Sequence, residues 1–341
     1  MKKSSIAVGL TVLLFLAFVL LPIVSHAQQK VIGLRFATFV PATTMEGKLI
    51  QEWADEVGKR TNGRVKVTVY PAGTLIPVTQ MYDGITKEVA DIGYGIFSYI
   101  RGRFPLTEAI DLPLGYKNAG VPTRMINAYY KKFKPKEMDD VKVLFLEAHG
   151  PGMLNAKKPI SKLEDLKGMK IRAHNISAKI VTALGAAPVG LPITDTYDAL
   201  SKGVVEGVML EAGGVLNWGL ADVVKYHVGS PAVAYTTSFY TVMNKDKWNS
   251  LPPDIQAIID KLDEEWIERA SKRWVDWEVM GMTELPKKGN KFITLSKAEN
   301  DHWEAKVKPI VDEWVKAAQA KGLPGAEVVK FCQDYLKANQ K

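Results

Sequence analysis

Apolar and polar positions alternate over Met169-Lys170-Ile171-Arg172-Ala173, the two-residue period of a partly buried strand. The period then lengthens. Ser177–Leu184 carries apolar residues at helical spacing, Ala187–Val189 returns to strand, Thr194–Ser201 reads as helix and Val204–Met209 as strand. Asp195 falls in the first turn of the second helix, where a carboxylate suits the positive end of the dipole. Arg172 closes the first strand. Ligands of open α/β sheets bind beyond the carboxyl ends of the strands, and an arginine there can hold a carboxylate through two parallel hydrogen bonds. On position alone, a surface arginine on an edge strand competes with that reading.

The same pattern occurs earlier. Pro77–Gly93 reads PVTQMYDGITKEVADIG and Pro192–Val208 reads PITDTYDALSKGVVEGV; without a gap, Pro, Thr, Tyr, Asp, Lys and Val coincide. Strand, helix and strand precede each copy: Leu34–Val40, Gly47–Arg60 and Val65–Tyr70 in the first. So long a period suits two similar domains rather than a solenoid. Two facing α/β domains enclose a cleft, a favoured place for a ligand.

Other stretches complete the frame. Ile50, Trp53, Ala54 and Val57 form one helical stripe, which Thr61-Asn62-Gly63 ends. Ala90–Gly95 reads as a small-residue strand opening onto the same cleft as Arg172. Val141–Glu147 is a strongly apolar strand, and His149-Gly150-Pro151-Gly152 after it has the glycine and proline of a hinge or of an ordinary turn. A long helix is expected from Pro252 to about Met282, with Ile255, Ile258, Ile259, Leu262, Trp266, Trp274 and Trp277 on its apolar face; the tryptophans are assigned to core. Phe292–Leu295 reads as a strand, Ser296 to Glu299 as a capping box, and Pro324 as the start of a last helix.

The chain opens with Lys2 and Lys3, an apolar run from about Ile6 to Val24, then Ser25-His26-Ala27: a signal peptide cleaved after Ala27 and a periplasmic destination. An uncleaved membrane anchor is the alternative. Loss of both lysines lowers the formal charge from +8 to +6. The basic residues are interleaved with acidic ones, so no nucleic-acid partner is expected. The single cysteine, Cys332, can form no internal disulfide. His149, His174, His227 and His302 are scattered, with no metal-ligand spacing, phosphate loop, dinucleotide fingerprint or nucleophile elbow. No cofactor or metal is expected, and a binding protein is favoured over an enzyme.

The segments LRFATFVPATTMEGKLIQEWADEVGKRTNGRVKVTVYPAGTL, GMKIRAHN, LGAAPVGL, DTYDALSKGVVEG and FYTVMNKDKWNSLPPDIQ resemble, in order and spacing, the extracytoplasmic solute receptor of a tripartite ATP-independent periplasmic (TRAP) transporter. The resemblance implies a two-lobed α/β, periplasmic-binding-protein-like fold with a hinge and a long helix spanning both lobes. It implies closure around an organic acid and docking on a membrane permease. The expected division places residues 28–150 and about 238–280 in one lobe, and residues 151–237 and about 281–341 in the other. A monomer is expected. An enzyme or a ligand sensor of the same architecture are the competing functions.

The resemblance puts the family's strand arginine on Arg172 and its following asparagine on Asn175. Elsewhere the chain departs. The second arginine of sialic-acid receptors falls at Gly152, beside Met153; an asparagine after the third strand falls at Leu210, beside Glu211. Phe39, Ile193, Tyr94 and Ile96 stand at further family positions where polar or other aromatic groups occur, and Trp218 matches a tryptophan of some subgroups. These ten-odd positions, mostly apolar around one arginine, imply a monocarboxylate with an aliphatic or aromatic body, a 2-oxo or 2-hydroxy acid included.

Overall fold

The computed structural model describes residues 30–340, so the expected signal segment and its cleavage site lie outside the described residues. In chain order the strands are β1 Ile32–Thr38, β2 Val65–Tyr70, β3 Ile92–Ile96, β4 Val141–Ala148, β5 Met153–Ala156, β6 Lys170–Arg172, β7 Ala187–Val189, β8 Gly207–Leu210, β9 Tyr226–Val228, β10 Ser238–Asn244 and β11 Lys291–Ile293. The α-helices are α1 Met45–Arg60, α2 Met81–Thr86, α3 Gly120–Phe133, α4 Ile176–Ala183, α5 Thr196–Ser201, α6 Ala212–Asn217, α7 Lys245–Asn249, α8 Pro253–Lys287, α9 Lys297–Val307, α10 Pro309–Ala320 and α11 Gly325–Asn339.

The strands form two sheets, ordered β2-β1-β3-β10-β4 and β11-β9-β5-β8-β6-β7. The sequence repeat becomes a structural one. Short 3-10 turns at Val78–Gln80 and Ile193–Asp195 lead into α2 and α5, then into β3 and β8. In each unit the first strand lies between the other two and runs parallel to both: β1 between β2 and β3, β6 between β7 and β8. The connections therefore leave β1 and β6 in opposite directions, which opens a crevice at their carboxyl ends. Phe39 follows β1, Tyr94 lies in the middle of β3 and Ile96 ends it, Arg172 ends β6, and Leu210 ends β8 with Glu211 after it.

Three segments join the lobes. His149–Gly152 carries the chain from β4 of the first sheet to β5 of the second, and residues 229–237 return it from β9 to β10. Helix α8 is the third. At 35 residues it is about 52 Å long, and it packs against α1, α3 and β4 on one side and α6 and β11 on the other. The last helix, α11, packs on α3 of the first lobe as well as on α10, although the expected division gives that stretch to the second lobe.

Local chemistry explains the element ends. The Thr44 side chain accepts from Gly47 N at 3.0 Å and caps α1. Asn62 and Gly63 then take left-handed backbone angles (φ 53° and 77°) and turn the chain into β2. Ser296 caps α9 by accepting from Glu299 N, but the reciprocal half of the expected box is absent. The Glu299 carboxylate instead accepts from Leu163 N and from Trp303 Nε1, tying α9 to the second lobe. The third strand of the second unit starts at Gly207 rather than Val204, because Val204 is spent on a turn to Ala199 O.

Candidate functional site

Between the lobes lies a cavity lined by Phe39, Ile96, Arg172, Ile193, Leu210, Glu211 and Trp218. Seven of the ten residues singled out by sequence thus meet in one place. They come from both sheets, at both crevices. The lining also includes Tyr99, His149, His174 and Glu46, which sequence reasoning did not select, and Tyr235, Thr237, Phe239 and Trp274. The cavity encloses about 40 Å³, room for roughly three water molecules. An organic acid enters only when the lobes part.

Arg172 is 1% exposed. Its Nε donates to Leu191 O at 2.9 Å and its Nη2 to Tyr99 Oη at 2.7 Å. Tyr99 Oη also accepts from Ile193 N at 2.9 Å. Tyr99 follows β3 of the first lobe, whereas Arg172 and Ile193 belong to the second. One phenol therefore bridges the cleft and fixes the guanidinium. Beside it, Ser98 Oγ meets His174 Nδ1 at 2.8 Å. His174 retains some surface, yet burial of its ring holds its pKa well below the usual histidine range, helped by the Arg172 and His149 charges. It is neutral at neutral pH.

The two buried arginines of the cleft region differ in one respect. Arg273, on α8, is 5% exposed and paired with both Glu46 and Glu147. Burial lowers its pKa, and the two carboxylates outweigh that and raise it. Arg172 has no acidic partner within ion-pair distance among the described residues, and its Nη1 makes no hydrogen bond among them. A buried cation without a counter-ion is expensive. The geometry suits an incoming anion.

Opposite the arginine the wall is aromatic. Ring planes stack in series from Trp218 to Phe39 (6.3 Å between centroids), Tyr94 (5.7 Å), Phe239 (5.7 Å), Trp274 (5.5 Å) and Trp277 (5.0 Å), nearly parallel except for a 29° tilt between Phe239 and Trp274. Only the first pair crosses from one lobe to the other. Tyr94 sits inside this ladder, behind the lining. Trp274 and Trp277 are buried as expected, but Trp274 also reaches the cavity, so its assignment to core alone is corrected.

Asn175 and Met153 lie elsewhere. Asn175 adopts φ 49° at the start of α4 and lines a separate cavity with Ser98, Asp111 and Lys321; the backbone turn that aims His174 inward carries Asn175 away. Met153 lines a larger cavity of about 450 Å³ bounded by both crossing segments and α8. That cavity shares Glu211 and Trp274 with the first but holds none of the arginine's partners. The smaller cavity, where Arg172 and both crevices converge, is the candidate site. Gly152, where an arginine would stand in a sialic-acid receptor, leaves no room for one: a Cβ there would fall 1.9 Å from the Tyr235 ring. Among the described residues no group of three acidic, histidine or cysteine side chains could hold a metal ion, and no helix is long and apolar enough to cross a membrane.

The model of the bacterial extracellular solute-binding protein family 7 matches residues 36–317. A solved TRAP solute-binding protein of a marine metagenome, specific for aromatic acid ligands and complexed with 3-hydroxybenzoate, is 30% identical; the match covers 92% of this chain and all of that one, with a TM-score of 0.86. A TRAP solute-binding protein of Rhodoferax ferrireducens in complex with copurified benzoate is 29% identical over 90% of this chain and 98% of that one, with a TM-score of 0.84. The outer membrane transporter protein TsaT of Comamonas testosteroni is 28% identical over 94% of this chain and 96% of its own.

Proposed function

Because the chain belongs to the bacterial extracellular solute-binding protein family 7, the solute receptors of TRAP transporters, we propose that it captures a monocarboxylate with an aliphatic or aromatic body. The observation that carries this reading is Arg172, buried without an acidic partner and faced by aromatic rings. The ligand's carboxylate supplies the missing counter-ion through the two-pronged geometry open to a guanidinium. Its body displaces water from Phe39, Ile96, Ile193, Leu210 and Trp218, each Å² of apolar burial contributing about 25 cal/mol. Stacking on Phe39 and Trp218 adds about 0.5–1.5 kcal/mol for a ring. Glu46 and Glu211 in the same lining repel a second carboxylate. Known structures of similar chains hold benzoate and 3-hydroxybenzoate, which fit this chemistry.

The family consists of transport receptors and not of enzymes. In this reading the chain is exported, cleaved after Ala27, works as a monomer outside the cytoplasmic membrane and hands its ligand to permease subunits. Its lobes are residues 28–150 with 238–280 and residues 151–237 with the stretch beyond 281.

A thermal-shift screen of organic acids tests the ligand class. A true ligand at about 100 times its dissociation constant stabilises the fold by roughly 2.7 kcal/mol. Aromatic or aliphatic monocarboxylates are expected to lead. Sialic acid, sugar acids or C4-dicarboxylates ranking above all of them would overturn the ligand class and leave the receptor role in place.

A further inference from the structure

The cleft has a second polar end. Glu46 lies in the first turn of α1, on the first lobe, and is 6% exposed. Its Oε1 faces Arg273 Nη1 at 3.3 Å, while its Oε2 is buried without a hydrogen-bond partner among the described residues. Glu211 follows β8 on the second lobe and is 7% exposed; its Oε2 is also without a hydrogen-bond partner among the described residues, with the Nε2 of the His149 ring 3.7 Å away. Both carboxylates line the cavity that holds Arg172. Burial raises the Glu46 pKa to about 7, against the pull of Arg273, and Glu147 and Glu211 raise it further. Glu46 and Glu211 therefore feel each other across the cleft.

Buried acceptors left unpaired are costly, and the cost is removed by a donor that arrives. Arg273 gives its Nη2 to Glu147, and although its Nε and Nη1 make no hydrogen bond among the described residues, neither meets the Oε2 of Glu46 or of Glu211. We infer that Glu46 and Glu211 form a second subsite that holds a hydrogen-bond donor, a hydroxyl or N–H, on the end of the ligand remote from its carboxylate. The inference rests on the proposed carboxylate receptor and adds to it the polarity of the ligand's far end. The ligand is then read in three parts: an anion on Arg172, an apolar body against Phe39 and Trp218, and a donor given to one of two carboxylates contributed by different lobes. Seating that donor satisfies a buried acceptor that only the closed cleft desolvates, and so favours closure.

The test is calorimetry at about pH 8.5, where Glu46 is ionised, on the purified full mature chain with benzoate, 3-hydroxybenzoate and 3-methoxybenzoate. The methyl ether fills the same space but cannot donate. Hydrogen bonds to a charged acceptor are worth roughly tenfold to 150-fold in affinity, so 3-hydroxybenzoate should bind about tenfold or more tighter than either companion. Glu46→Gln should shrink that ratio, because a neutral amide oxygen is the weaker acceptor. Equal binding of all three acids, or a methoxy compound matching the hydroxy one, would overturn this inference and leave the carboxylate reading standing. Binding of none of them, with Arg172→Ala indistinguishable from wild type toward every organic acid tried, would remove both.

Discussion

Replacing Tyr99 by Phe removes one oxygen and two hydrogen bonds. Tyr99 Oη accepts from Arg172 Nη2 at 2.7 Å and from Ile193 N at 2.9 Å, and both donors belong to the opposite lobe. With the lobes apart, all three groups meet water, so the substitution costs nothing there. With the lobes closed, the arginine loses a bond worth about 1.5–3 kcal/mol and the amide of Ile193 is left without a partner at about 1–3 kcal/mol. Even if the two losses overlap, at least about 2 kcal/mol is taken from closure alone. At 1.4 kcal/mol per tenfold, ligand affinity should fall about 30-fold. Calorimetry gives the affinity, and small-angle scattering gives the radius of gyration with and without saturating ligand. Wild type should contract on binding; Tyr99→Phe should bind more weakly and contract fully only at higher ligand concentration. The unliganded stability of the variant should match wild type, since the bonds belong to the closed form. An affinity within threefold of wild type would refute the bridging role.

Arg172→Ala should weaken binding by 30-fold or more, from the about 2–5 kcal/mol lost when one partner of a desolvated charge pair is removed, and Arg172→Lys should also be impaired in calorimetry because an ammonium lacks the fork. For His174, the closed-state pKa lies below the ordinary 6.5, so closure is fully supported above about pH 6.5 and weakens as pH falls below it; affinity measured between pH 7.5 and 5 should decline, and His174→Gln should flatten the decline. Glu46, raised to about 7 by burial, has the opposite sign, gaining stability as it protonates, so the comparison with His174→Gln is what isolates the histidine. Gly152→Ala would drive a methyl into the Tyr235 ring; overpacking of this kind costs about 1–3 kcal/mol, visible as a fall of a few degrees in Tm.

What the sequence disclosed follows from periodicity. The repeat at Pro77 and Pro192 foretold two units whose short helices and third strands match turn for turn, and an arginine at the end of β6 was placed by the same logic. The crossing between sheets at His149–Gly152 and the long α8 were legible from glycine, proline and a sustained apolar stripe. Tyr99 was not. It sits in a short turn without period, and its partners Arg172 and Ile193 are distant in sequence. Trp274 was assigned to core because a helical stripe shows which side of a helix is apolar, not whether a cavity reaches it. Glu46 drew no notice because the expected helix began at Gly47, one residue after it, whereas the helix starts at Met45 and buries Glu46 against Arg273 of α8. Asn175 was selected through the family resemblance, and its own positive φ turns the chain there so that it lines a neighbouring cavity. Helix α3 escaped notice because Gly120, Pro122 and Thr123 weaken its first turn.

The aromatic ladder makes the protein its own optical instrument. Of eight tryptophans, Trp53, Trp248, Trp266, Trp274, Trp277, Trp303 and Trp314 are buried, and Trp218 alone is half-exposed. Trp218 is also the ring that must leave Phe39 whenever the lobes separate. Its emission should shift to the red as water reaches it and return to the blue on closure, read against the blue emission of the seven buried tryptophans. Stopped-flow fluorescence of the unlabelled chain can then time closure directly, with Trp218→Phe as the dark control.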